Sequence, residues 1–256
     1  MVNRSSVSYG PRHGQCADLW RPDVTTGRLP VVVLFHGGFW KGPYTKRLMN
    51  QLAADISGRG WAAFNVEYRR VGILGRGGGW PATFSDVAAA LDALESLPGL
   101  DLDRVITCGH SAGGQLALWA AARDRLPAGA PGTPSRVRPC AAISLAGVVD
   151  LVQAAETGLG GDAAAALLGG DPAACPDRYR AASPAAMMPL GIPQLLVHGL
   201  ADMTVPAAMS ERYAVHAAAA GDDASYLPIP GAGHMDMIDP AGRAWAAAAA
   251  RLADWL

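Results

Sequence analysis

A serine stands between glycines in segment 108–114, which reads Cys-Gly-His-Ser-Ala-Gly-Gly and contains the pattern Gly-x-Ser-x-Gly. The segment follows a short apolar run and precedes an Ala- and Leu-rich run, which is the order strand, sharp turn, helix. Glycines beside such a turn let the backbone reverse and lift the serine hydroxyl clear of the sheet. Ser111 is therefore the candidate nucleophile, and the alternative is a glycine-rich turn with a capping serine.

A serine hydroxyl is a weak nucleophile at neutral pH, so it needs a base and a carboxylate that orients the base. Asp202 follows an apolar run that ends in Val-His-Gly, and His234 lies in Gly-Ala-Gly-His after the last apolar run. The chain order is Ser, Asp, His, each after a predicted strand. We predict that His234 takes the proton from Ser111 and that Asp202 orients the imidazole. Asp236 and Asp239 are alternative orienting carboxylates.

The segment 36–40, His-Gly-Gly-Phe-Trp, follows the β-branched run 31–35. Its glycines allow a tight loop at the edge of the sheet where Ser111 is expected. An acyl-transfer intermediate carries a negative charge on oxygen, which backbone N–H groups stabilise. We predict that the N–H groups of Gly38, Phe39 and Ala112 form this oxyanion hole.

Several large apolar side chains fall on loops predicted for the active face. The candidate substrate-binding residues among them are Trp40, Trp80, Met203 and Met235. The alternative for each is packing in the core, where such residues are common.

Apolar runs alternate with segments of helical spacing, which predicts an α/β fold with a mainly parallel sheet and helices on both faces. Predicted strands are 7–9 and 15–20 at an antiparallel edge, then 31–35, 61–66, 104–108, 140–145, 194–198 and 225–229; predicted helices are 46–57, 81–97, 112–123, 206–220 and 240–256. Ligands bind at the carboxyl ends of the strands in such sheets, and all the candidate catalytic residues follow strands.

The 256 residues, of which half are hydrophobic, suit a single domain, 1–256. Segment 148–188 consists of short Ala-rich pieces separated by Gly and Pro, which predicts a small lid-like insertion after the strand 140–145. Segment 69–80 is rich in glycine and is predicted to be a loop.

The net charge is −1 at pH 7, and no basic stripe that would favour nucleic acid is present. Segment 1–11 is polar, and no apolar run reaches the length of a membrane span, so we expect a cytoplasmic protein with no membrane partner. The four cysteines lack Cys-x-x-Cys spacing, and no His or carboxylate cluster has metal-ligand spacing. We therefore expect no cofactor and no metal. The expected partner is a small-molecule acyl substrate, and a homodimer is left open.

The elbow and the order Ser, Asp, His resemble the α/β-hydrolase superfamily from residue 31 to the C-terminus. Segment 36–40 is similar to the His-Gly-Gly-x-Trp motif of kynurenine formamidases and related esterases, and segments 109–113 and 233–240 resemble the elbow and the histidine loop of that family. The resemblance implies hydrolysis of a small carboxylic ester or an N-formyl aryl amide through an acyl-enzyme on Ser111. Alternatives are a biosynthetic tailoring enzyme or a peptidase-like hydrolase with the same triad, and a non-catalytic ligand-binding protein on this fold.

Overall fold

Eight strands are present in the part of the chain that the computed structural model describes, residues 3–23, 27–72, 75 and 77–256. The strands are β1 Asn3–Ser8, β2 Cys16–Arg21, β3 Leu29–Phe35, β4 Ala62–Val66, β5 Leu100–His110, β6 Ala141–Leu145, β7 Gln194–Gly199 and β8 Ala224–Ile229. The α-helices are α1 Asn50–Gly58, α2 Ala82–Asp92, α3 Ala112–Ala121, α4 Leu151–Glu156, α5 Ala163–Leu168, α6 Pro176–Ala182, α7 Ala207–Ala219 and α8 Arg243–Trp255. Short 3₁₀ turns are Lys46–Met49, Ala93–Ser96, Arg123–Arg125, Pro184–Ala186 and Met235–Ile238.

One sheet contains these strands in the order β1-β2-β4-β3-β5-β6-β7-β8. β1, β2 and β4 pair antiparallel, and the remaining pairs from β4 to β8 are parallel. The predicted mainly parallel sheet with an antiparallel edge is therefore confirmed. Because the chain leaves β3 for β4 on one side and later returns to β5 on the other, the carboxyl ends of β3 and β5 lie at the point where the strand order reverses.

β3 shows why this sheet is covered on both faces. All of its residues are buried, and successive side chains enter opposite layers: Val31, Val33 and Phe35 belong to one hydrophobic cluster, whereas Val32 and Leu34 belong to the other. A strand with this period of two and no polar side needs helices on both sides. α1 and α8 cover one face, and α2, α3 and α7 cover the other.

α3 is buried along its whole length, which agrees with its Ala-, Leu- and Trp-rich sequence. One side of it packs on the sheet, and another contacts the segment 148–188. Side-chain amide and indole groups of α3 donate to this segment, from Gln115 Nε2 to Ala182 O (2.8 Å) and from Trp119 Nε1 to Ala181 O (2.9 Å). The segment contains three short helices, of which α6 accepts these bonds from the helix that follows Ser111. Its role as a lid stays a prediction.

The structure moves some predicted boundaries. The helix predicted at 46–57 begins as the 3₁₀ turn Lys46–Met49 and continues as α1, and β5 is longer than the predicted 104–108 because Leu100 pairs with Leu29. Residues 73, 74 and 76 of the predicted Gly-rich loop lie outside the described residues. None of the helices in the described ranges is both long enough and apolar enough to cross a bilayer.

Candidate active site

Ser111 stands at the sharp turn between β5 and α3. Its backbone adopts φ 57° and ψ −123°, a conformation that costs a non-glycine residue about 1–3 kcal/mol. The turn needs glycine at two flanking positions: a Cβ at Gly109 would lie 1.9 Å from Gly113 O, and a Cβ at Gly113 would lie 2.1 Å from Phe35 O. The elbow geometry inferred from Gly-x-Ser-x-Gly is therefore present around Ser111.

Asp202 and His234 meet at the carboxyl ends of neighbouring parallel strands. Asp202 follows β7 and His234 follows β8, and these strands pair in register as far as Gly199 and Ile229. Nδ1 of His234 lies 2.6 Å from Oδ2 of Asp202, whose side chain is fully buried. The structure thus brings together the two residues that the sequence paired as base and orienting carboxylate.

The two alternative carboxylates bond elsewhere. Oδ2 of Asp236 accepts a hydrogen bond from the backbone N–H of Gly233 (2.7 Å), and Oδ1 of Asp239 accepts one from that of Ala241 (3.0 Å). Both carboxylates therefore stabilise the turn around the 3₁₀ segment Met235–Ile238. Of the three candidates, Asp202 is the one in contact with the His234 ring.

Donors surround the Asp202 carboxylate. Oδ1 accepts from the N–H groups of Thr204 (2.7 Å) and Val205 (2.9 Å), and Oδ2 contacts the rings of His234 (2.6 Å) and His198 (3.2 Å). Burial alone would raise the pKa of this carboxyl, but the hydrogen bonds from both histidines and both amides outweigh burial and hold the pKa well below its ordinary value. Asp202 is therefore ionised at neutral pH.

His110, the residue before Ser111, connects the elbow to the His234 loop. Its Nε2 lies 3.0 Å from the carbonyl oxygen of His234, and the two ring centroids are 4.5 Å apart. Burial, and next the neighbouring His234, lower the pKa of His110 to about 3, so its ring is neutral at pH 7. Within the described residues the Ser111 hydroxyl forms no hydrogen bond to His234. The hydrogen bond between a nucleophile and its base often forms only when substrate binds.

The loop after β3 makes a left-handed turn. Gly38, Phe39 and Trp40 have φ values of 112°, 50° and 54°, and the N–H of Lys41 donates to Gly38 O (2.9 Å). Left-handed backbone costs a non-glycine residue about 1–2 kcal/mol, so the surroundings must hold this turn in place. Strain of this kind concentrates at functional sites.

This turn and the first residue of α3 both contribute backbone N–H groups near the elbow. The backbone N–H groups of Gly38, Phe39 and Ala112 donate to no acceptor among residues 3–23, 27–72, 75 and 77–256. A Cβ at Gly37 would lie 2.9 Å from Cβ of Ser111, which shows how closely the loop approaches the elbow. These N–H groups are available to an oxyanion that forms next to Ser111.

His36 anchors the base of this loop. Its Nε2 lies 3.1 Å from Oε1 of Glu67, its ring stacks on Tyr68 at 4.4 Å, and the Tyr68 hydroxyl donates to His36 O (2.7 Å). Burial raises the pKa of Glu67, but hydrogen bonding and the charge of His36 outweigh that effect and lower it. Sequence reasoning missed Glu67. The signal in the sequence was that Glu67, like His36, directly follows a predicted strand. The structure pairs Phe35 with Val66, so the two next residues lie side by side.

Segment 148–188 contacts the loop after β3 at Phe39 and Lys41. The Phe39 ring packs on Gly160, where a Cβ would lie 2.4 Å from the ring, and Lys41 Nζ bonds to Oδ1 of Asp162 (2.7 Å). Glycine at 160 therefore allows the close approach of Phe39. Segment 148–188 and the loop after β3 are in contact through Phe39 and Lys41.

The predicted substrate-binding residues divide into two groups. Trp40 is only 1% exposed, and its indole N–H donates to Oε1 of Gln115 (3.0 Å), so its ring packs in the core. Trp80 is half-buried and packs on Phe84, with ring centroids 5.2 Å apart. The sequence pattern could not separate pocket walls from core at these two positions, since both kinds of site favour large apolar rings.

Met203 and Met235 lie on the surface, directly after Asp202 and His234 in the sequence. Met203 is 96% exposed in the loop after β7, and Met235 is 53% exposed directly after His234. Both lie on the loops, after β7 and after β8, that the sequence analysis assigns to them. A contact with substrate stays a prediction for both.

A model of the BD-FAE family matches residues 17–216. The kynurenine formamidase of Danio rerio is 28% identical over 122 residues, which are 46% of this chain and 38% of that protein. The matched part is therefore well under two thirds of that relative's length.

Solved structures with the same fold cover nearly the whole chain. The bifunctional GH43-CE protein of Bacteroides eggerthii superposes with a TM-score of 0.82 at 23% identity, over 98% of this chain and 38% of that chain. Propionate-bound esterase Est2 of Thermogutta terrifontis gives 0.76 at 23% identity, over 98% and 92% of the two chains. A bacterial heroin esterase gives 0.77 at 22% identity, over 98% and 83%. The predicted α/β-hydrolase fold is confirmed.

Proposed function

The chain belongs to the BD-FAE family, and we propose that it is a serine hydrolase that cleaves small carboxylic esters or N-formyl aryl amides through an acyl-enzyme on Ser111. One observation carries the proposal: the bond of 2.6 Å between His234 Nδ1 and Asp202 Oδ2, beside the strained turn at Ser111. The family, the formamidase relative and the esterase neighbours support hydrolysis of the esterase type.

In the first proposed step, Ser111 Oγ forms a bond to the acyl carbonyl carbon, and its proton passes to Nε2 of His234. The ionised Asp202 keeps the proton of His234 on Nδ1, so that Nε2 is free to act as the base, and it stabilises the imidazolium that forms. His234 then returns the proton to the leaving alcohol or amine as the carbon–heteroatom bond breaks. The product of this half-reaction is the acyl-enzyme.

The carbonyl oxygen becomes negatively charged in the intermediate. In the proposal the N–H groups of Gly38, Phe39 and Ala112 donate to it, and each such donor typically contributes about 3 kcal/mol to transition-state stabilisation. Water then attacks the acyl carbon with His234 as base, and Ser111 is released. No metal or cofactor takes part in this scheme.

The test combines labelling with turnover. A fluorophosphonate probe and p-nitrophenyl acetate would be applied to the wild type, to Ser111→Ala and to the control Ser96→Ala. The control removes an exposed hydroxyl that, among the described residues, donates to Ala93 O. We expect wild type and Ser96→Ala to be labelled and active, and Ser111→Ala to be neither. Labelling or turnover that survives in folded Ser111→Ala contradicts the proposal.

The same enzymes separate the two substrate classes. We would compare kcat/KM for N-formyl-L-kynurenine and for p-nitrophenyl acetate, with Ser111→Ala as the blank. A large preference for the formyl amide indicates an arylformamidase, and ester turnover alone indicates a carboxylesterase. A wild type that hydrolyses neither and is not labelled overturns the proposal.

A further inference from the structure

His198, in β7, is a second histidine that contacts the Asp202 carboxylate. Its ring is fully buried, and Nε2 lies 3.2 Å from Asp202 Oδ2 and 3.0 Å from Val205 O. Both neighbours are acceptors, so Nε2 must carry a hydrogen. The other ring nitrogen, Nδ1, lies 2.8 Å from the Ser210 hydroxyl of α7, which is also buried.

This arrangement leaves the Asp202 carboxylate little freedom. Oδ1 is held by the N–H groups of Thr204 and Val205, and Oδ2 is shared between His198 and His234. An ionised carboxylate has about four acceptor sites, and four donors surround this one. Rotation of the carboxylate away from His234 would leave the buried N–H of His198 with Val205 O as its remaining partner.

We propose that His198 is a positioning residue, which acts through Asp202 to fix the orientation and the effective charge of the carboxylate that His234 contacts. Its effect on catalysis rests on the proposed function. The N–H of His198 draws part of the negative charge of Oδ2 toward itself. Without that donor, the whole charge of Oδ2 faces the His234 ring, so the imidazolium of His234 is more strongly stabilised.

The sign of the effect follows from the groups that face this pair. The Asp202 carboxylate contacts two rings, that of His198 in β7 and that of His234 in the loop after β8. The His234 ring also lies against the neutral ring of His110 in β5. Removal of the His198 donor therefore makes His234 hold its proton to higher pH. We expect the acid limb of the kcat/KM profile to move up by about 0.5–1 pH unit, with kcat reduced about tenfold and KM little changed.

Three variants isolate this effect. His198→Phe removes the donor and keeps a planar aromatic ring, whereas His198→Gln returns an N–H close to the place of Nε2. Tyr213→Phe is the matched control, since it removes the bond from Tyr213 Oη to Gln194 Oε1 (2.7 Å) in the same α7–β7 contact, away from Asp202. We expect the shift in His198→Phe, its reversal in His198→Gln, and only lower stability in Tyr213→Phe.

A second readout needs no substrate. With ¹⁵N-labelled histidine, the wild-type spectrum should show Nε2 of His198 protonated, and an unprotonated Nε2 overturns the proposal. The titration midpoint of His234 should rise in folded His198→Phe, and an unchanged midpoint also overturns it. If the midpoint rises while no ester or formyl amide is hydrolysed, the proposed function fails and the positioning role stands.

Discussion

Nε2 of His110 donates a hydrogen bond of 3.0 Å to the carbonyl oxygen of His234, so the residue before the candidate nucleophile holds the backbone of the candidate base. The bond requires a proton on Nε2, and the low pKa of His110, about 3, keeps the ring neutral with a single N–H. Nδ1 is buried and has no partner among the described residues. Protonation of His110 would place an uncompensated charge there.

The first prediction concerns stability against pH. The pKa of His110 is about 3 in the folded chain and 6.5 in an ordinary histidine, so between these values the unfolded chain binds a proton that the folded chain does not. The free energy of unfolding should therefore fall with falling pH in this window, by up to about 1.4 kcal/mol per pH unit. His110→Gln keeps an N–H donor and does not titrate. Urea unfolding of both proteins from pH 7.5 to pH 4.5 measures the difference, and parallel curves would refute the assignment.

The second prediction concerns the orienting carboxylate. Asp202→Asn replaces one acceptor oxygen by an amide group in a site where all four neighbours donate. We expect kcat to fall by about four orders of magnitude and the free energy of unfolding to fall by about 1–3 kcal/mol. The control is Asp236→Asn, since Asp236 bonds to Gly233 N–H and not to the ring of His234. A larger loss of kcat in the control would reassign the orienting role.

The third prediction concerns a buried ion pair outside the site. Arg123 is fully buried and donates to both oxygens of Asp92 at 2.9 Å. Arg123→Met removes the cation closest to Asp92. Loss of one partner of a buried ion pair lowers the free energy of unfolding by about 3–5 kcal/mol. The exposed pair Arg180–Asp177 is the control, because Arg180→Met should cost under about 1 kcal/mol. Urea unfolding compares the two variants, and equal losses would contradict the prediction.

The sequence could predict the pairing of Asp202 with His234 because both follow strands, and strand ends of a parallel sheet meet at one edge. It could not choose between Asp202 and Asp236, since both lie on short loops and only the turn geometry decides which carboxylate reaches the ring. His198 ends the predicted strand 194–198, but its contact with Asp202 depends on how the loop 199–205 folds back.

The pair His36 and Glu67 shows a different limit. Their contact requires β4 to lie beside β3, and this neighbour relation is a property of the whole sheet rather than of either segment. Trp40 shows a third limit, because an apolar ring on an active-face loop has the same sequence signature whether it lines a pocket or packs in the core. The burial of Trp40 follows from the left-handed turn at 38–40. In the sequence of this turn, only the glycine indicates left-handed backbone.

The fourth prediction tests the proposed oxyanion hole through the left-handed turn at 38–40. Gly38 has φ 112°, and a Cβ there would lie 2.5 Å from Cβ of Tyr44, so Gly38→Ala must displace the loop. Gly60→Ala is the matched control: Gly60 has φ 95°, but a Cβ there meets nothing within 4 Å. Both variants should lose about 1 kcal/mol of unfolding free energy from the strained φ. Only Gly38→Ala should also lower kcat, by about 10²-fold, because the displaced N–H of residue 38 no longer donates to the oxyanion. Steady-state kinetics at saturating p-nitrophenyl acetate measures this difference, and an unchanged kcat in Gly38→Ala would show that the N–H of Gly38 does not stabilise the transition state.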